Sequence, residues 1–247
     1  MGQFSLRYFM FSHWLMVACL LAPFSADALD APADLVPAGL NVGDQFYVVF
    51  TVFDNPYPQA TSADITTYNS YVQGIAAAST ISGVRAISSG FQVIGATATA
   101  NQCQPANLTK PVYNVNKTQV SSRASLMYDP AQPLGTPLNI SQSGQVISNQ
   151  EQAFTGCNSN GTTFAGSTLG DSLVGVGRTT QTDTDWISSG GQQVSKNGNK
   201  SLYAISALLT VAHTPQKIPS LSEWSQILLG FIVITMIGWH FHKQRSY

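Results

Sequence analysis

Groups able to move protons, attack a carbonyl or hold a metal are scarce in this chain, so where they gather is the first guide to its chemistry. Charged residues make up 9% of 247 positions, 12 acidic and 11 basic, against roughly 25% in ordinary soluble domains. The one local constellation is Asp183-Thr-Asp185, directly ahead of Trp186. Two carboxylates with nearby loop carbonyls form the hard-oxygen set that Ca²⁺ takes, and the indole could stack on a sugar ring. The plainer reading of the same residues is a solvated turn leading into a core tryptophan. Asp44, Asp54, Asp64, Asp129, Glu151 and Asp171 supply further carboxylates. A glycosidase would need two, but no spacing pairs any of them.

Nucleophilic catalysis has still less to work with. His213 is the single histidine between the two hydrophobic ends of the chain, and it falls in a linker. No Gly-x-Ser-x-Gly elbow and no phosphate-gripping Gly-Lys-Ser/Thr turn occurs. Arg85, Arg123 and Arg178 are scattered, so the clustered cations that nucleic acid demands are missing. Cys103 and Cys157 read as one disulfide if the compartment is oxidising, and as two buried thiols otherwise. With no histidine near either in sequence, they do not make a metal site. Five Asn-x-Ser/Thr triplets, starting at Asn107, Asn116, Asn139, Asn160 and Asn199, follow from the amide- and hydroxyl-rich composition.

The elements that must position these groups can be placed by periodicity. Phe46–Phe53 is a β-branched and aromatic run that reads as a buried strand ending before Asn55-Pro56. Thr61-Ser-Ala-Asp64 resembles a capping box with Thr61 as the N-cap. Behind it Ile65, Tyr68, Val72, Ile75 and Ala76 share one face of a helix of about four turns, closed by Ser82-Gly83. Val84–Ser88 reads as a second strand. Short β segments follow at Pro111–Val115, a hairpin at Leu138–Ile147 around Ser143-Gly144, Leu173–Gly177, Trp186-Ile187 and Ser201–Val211. Asn158–Gly170 is a Gly/Asn/Thr loop.

Both ends look like addresses. Arg7, the apolar stretch Tyr8–Leu21 and Ala26-Asp-Ala28 make a signal peptide cleaved after Ala28. The alternatives are an uncleaved anchor and a lipoprotein through Cys19. At the other end, Ile227–Phe241 is apolar for 15 residues, roughly 22 Å as a helix. With Trp224 and Trp239 as interface anchors and Lys243 and Arg245 inside, it reads as a transmembrane helix.

Two resemblances follow from these residues. Ile218-Pro219-Ser220-Leu221-Ser222-Glu223-Trp224, with the apolar run and basic tail behind it, resembles the IPTL-CTERM sorting signals of Gram-negative bacteria, with serine in place of the usual threonine. That resemblance implies an exosortase-type membrane processing enzyme as partner, cleavage near the motif, and release or attachment at the cell surface. The segments Val112–Val115, Leu138–Ile140, Ala153–Gly156, Trp186-Ile187 and Leu202–Ile205 resemble bacterial surface proteins related to the endostatin module. This implies a C-type-lectin-like ectodomain, although the histidines and arginine cluster used by that family have no counterparts here.

The expected class is therefore α+β: a C-type-lectin-like ectodomain with one main amphipathic helix and many short strands, plus a C-terminal transmembrane helix. The expected organisation is a signal peptide over 1–28, an ectodomain over 29–211, a linker over 212–217 and a sorting signal over 218–247. The expected role is a non-catalytic exported surface protein of adhesion, matrix or glycan contact. An exported carbohydrate hydrolase and an inert coat protein are the competing classes.

Overall fold

The structure, a computed structural model, describes residues 28–57, 59–148 and 151–212, together with Leu229. Two units divide the chain, Met1–Ala212 and His213–Tyr247, and the fold described here belongs to the first. The expected signal peptide through residue 27, the linker residue His213 and the motif Ile218–Trp224 lie outside the described residues.

The organising element is a long strand whose residues are buried on both faces. In chain order the elements are β1 (Leu29–Asp30), β2 (Gln45–Tyr57), α1 (Ile65–Ala77), α2 (Ser82–Ala86), β3 (Gln92–Val93), β4 (Val112–Asn114), β5 (Gln119–Ser121), β6 (Gln152–Phe154), β7 (Leu173–Arg178), β8 (Gln193–Ser195), β9 (Lys200–Ile205) and β10 (Leu209–Thr210). The strands form one mixed sheet in the order β1-β10-β2-β9-β6-β7-β8, with β3 on β9, β4 on β2 and β5 on β4. Phe46, Val48, Phe50 and Val52 of β2 join one core with Leu202 and Ala204 of β9 and the buried face of α1. Tyr47 and Val49 enter a second core with Tyr203, Ile205, Trp186 and Met127. A strand covered on both sides has no use for a polar face, which is why its sequence is an unbroken apolar run.

These observations correct the expected class. Over the described residues of the first unit the chain is mainly β, a ten-stranded mixed sheet carrying two α-helices, and not an α+β lectin-like body. No helix among the described residues is long and apolar enough to cross a membrane, so the described fold does not include the expected C-terminal transmembrane helix. The apolar run expected to form it is 15 residues long, against the ~20 that usually span a bilayer. Apart from Leu229, that stretch is outside the described residues.

The N-cap of α1 is Asp64, not Thr61: its Oδ1 accepts the Thr66 N–H at 2.9 Å, while Ser62 Oγ accepts the Asp64 N–H at 3.1 Å. The expected strand at Val84–Ser88 is helical instead. Asp34, 49 residues away, accepts from Gly83 N at 2.7 Å and from Ser82 Oγ at 2.6 Å, which caps α2 from outside. Trp186-Ile187 sits at the end of a 3₁₀ turn, Thr184–Trp186, and is not a β segment. The expected strand Ser201–Val211 is split. Between Val49↔Ile205 and Phe46↔Leu209 the register gains one residue on the β9–β10 side. Ser206 fills that bulge, its Oγ accepting the Val48 N–H at 3.0 Å and its own N–H donating to Val48 O at 2.8 Å.

Candidate binding cleft

Beside this bulge the fold opens a cleft of about 330 Å³, within the range of small-ligand sites. Its floor is the end of β9 and the bulge, Ile205 to Leu208, held in place by the Ala207 N–H donating to Gly90 O at 2.7 Å. Gln92 of β3 stands on one side. The opposite wall is the segment Gln102 to Asn107. Ala28, immediately before β1, also lines the cleft.

The wall is fixed by contacts distant in sequence. Gln102 pairs through its backbone with Gly95, donating to Gly95 O at 2.9 Å. Cys103, next along, forms the disulfide with Cys157, with Cα atoms 6.0 Å apart, and its carbonyl accepts the Tyr128 hydroxyl at 2.6 Å. Gln104 Nε2 donates to Asn160 O at 3.0 Å. At the far end the Asn107 N–H donates to the Tyr47 hydroxyl at 3.0 Å. Burial pushes the Tyr47 phenol up and the Asn107 N–H partly offsets this, so the hydroxyl is neutral near pH 7.

The chemistry of the lining is neutral and polar. Among the described residues that line the cleft, no carboxylate, imidazole, ammonium or guanidinium occurs, and the Tyr47 phenol is the titratable group. Amides come from Gln92, Gln102, Gln104 and Asn107, over an apolar floor. Gln102 Oε1 is buried without a hydrogen-bond partner. A buried acceptor left unpaired costs roughly 1–3 kcal/mol. The arrangement can hold and orient a small polar molecule, but it has no pair of groups to exchange protons with it.

The residues singled out by sequence lie elsewhere and are not brought together for a ligand. Trp186 is fully buried, its Nε1 donating to Met127 O at 2.8 Å. It packs against Tyr128 and Tyr203 with ring centroids 5.7 and 5.6 Å away, so it has no face to offer a sugar. Asp183 Oδ1 accepts the Asp185 N–H at 3.1 Å, and Asp185 Oδ1 accepts the Gly190 N–H at 3.2 Å. Both carboxylates serve as backbone caps. Among the described residues no three of His, Cys, Asp or Glu come close enough to hold a metal ion, and two capping carboxylates do not fit the six to eight oxygens of Ca²⁺.

The cleft amides escaped sequence reasoning because they come from separate segments. The available signal was Asn101-Gln-Cys-Gln-Pro105, an amide cluster around a cysteine already expected to be cross-linked. No protein-family model matches the chain, and no curated protein does either.

Proposed function

We propose that this chain is an exported cell-surface protein whose body binds a small polyhydroxylated ligand, such as a glycan end group, without transforming it. The observation that carries this reading is the neutral, amide-lined cleft. Amide groups donate and accept at once, so they suit adjacent hydroxyls, and an uncharged lining gives no reason to prefer hydrolysis. Export is supported by the Ala26-Asp-Ala28 leader pattern and by a Cys103–Cys157 disulfide, which persists in oxidising compartments. The motif Ile218–Trp224 supports processing by an exosortase-type membrane transpeptidase.

The exported protein, purified from the medium or the cell surface, is applied to a glycan array with and without Ca²⁺. Binding that is independent of Ca²⁺ and lost in Gln102→Leu is the expected result. No binding in either condition returns the protein to a structural coat role, and turnover of a polysaccharide makes it an enzyme. Deleting Ile218–Trp224 is expected to retain the product with the cell, and unchanged release removes the sorting assignment.

A further inference from the structure

Leu29 opens β1, and its backbone N–H donates to Leu208 O at 2.9 Å. Ala28, one residue earlier, and Leu208 both line the cleft. The peptide bond from Leu29 N back to Ala28 therefore joins the sheet edge to a residue of the cleft lining. Cutting that bond does not leave the new terminus loose. Leu29 and Asp30 pair in parallel with Leu209 and Thr210, and the Ala31 N–H donates to Thr210 O at 2.8 Å.

We infer that cleavage after Ala28 is a step in building the cleft as well as in export: the α-ammonium freed at Leu29 becomes its one cationic group and selects a carboxylated sugar over the neutral one. This rests on the proposed leader being removed after Ala28. An ammonium has three N–H donors; Leu208 O takes one, and another replaces the bond to Ala28, a residue of the lining. The charge arrives in a lining with no carboxylate to neutralise it. Asp30, the neighbour in sequence, is exposed and does not line the cleft. Strand pairing holds the amine in one place before ligand arrives, so little ordering is lost on binding. The amides then take the hydroxyls and the amine takes the carboxylate.

The exported protein is compared with a variant carrying one extra alanine between Ala28 and Leu29, the N-terminus of each being read by mass spectrometry. Titrations use glucuronate and glucose. The protein beginning at Leu29 is expected to bind glucuronate about tenfold more tightly than glucose, the size of one hydrogen bond to a charged group. With the extra alanine the ratio is expected to fall to about one while glucose affinity holds. A ratio of one at the Leu29 terminus, an equal ratio in both proteins, or no binding of either sugar overturns the inference and leaves the leader reading intact. A mature terminus found anywhere other than Leu29 overturns both.

Discussion

Tyr128, Trp186 and Tyr203 pack together in the core, yet their polar atoms fare differently. Trp186 Nε1 and the Tyr128 hydroxyl each reach a backbone carbonyl. The Tyr203 hydroxyl is buried with no partner, and burial pushes both phenols well above the ordinary tyrosine range. Removing a hydrogen-bonded hydroxyl and removing an orphaned one have opposite signs. Tyr128→Phe is expected to lower stability by about 1 kcal/mol, whereas Tyr203→Phe leaves it unchanged or raises it by up to about 1 kcal/mol. Urea denaturation of both variants checks this, and a clear loss in Tyr203→Phe would show that its hydroxyl is satisfied. Gly177 is bound to the same cluster: a Cβ there would fall on the Trp186 carbonyl, so β7 can pass the tryptophan only as glycine.

Of the two α-helices described, α2 is the one capped from outside itself. It is five residues long, too short to persist on propensity alone, and Asp34 supplies its cap. Burial would raise the Asp34 carboxyl, but hydrogen bonds from Ser82 and Gly83 outweigh it and hold the group below the ordinary carboxylate value. A lowered folded pKa means stability that is present above the unfolded value, about 3.9, and lost as the pH falls through the folded one. Because the carboxylate is largely in water, Asp34→Ala is expected to cost no more than about 1 kcal/mol. That difference from the parent protein should be full at pH 6 and shrink towards pH 2, as read by denaturation at a series of pH values. A gap constant with pH would remove the charged cap from the explanation. The contrast with α1 is instructive, since Asp64 caps its own helix through Thr66 and needs no distant partner.

For the whole molecule, the Cys103–Cys157 bond ties the cleft wall to the loop after β6, across 54 residues of chain. A loop of that length constrains the unfolded state by about 4 kcal/mol in the chain-entropy model. Cys157→Ser is expected to lower stability by an amount of that order and to speed hydrogen exchange at the backbone amide of Gln102, which donates to Gly95 O. Lost stability with unchanged exchange there would mean that the Gly95 pairing alone holds the wall.

What the sequence determined by itself were features with a local cause. The run from Phe46 to Phe53 declares a doubly buried strand, because every position is apolar or β-branched. The spacing of Ile65, Tyr68, Val72, Ile75 and Ala76 declares a helix face, of which Ile75 is half-buried and the rest are buried. The pairing of Cys103 with Cys157 was legible from their isolation once an oxidising compartment was assumed. Tertiary structure decided what depends on partners far along the chain. Val84–Ser88 reads as a strand but coils because Asp34 meets Gly83 across 49 residues. The last long strand breaks because Ser206 meets Val48 across 158. The amide cleft exists because Tyr47 holds Asn107 across 60. Periodicity records which face a residue turns inward, while a site is made by which faces meet, and that is settled only when the sheet closes its register.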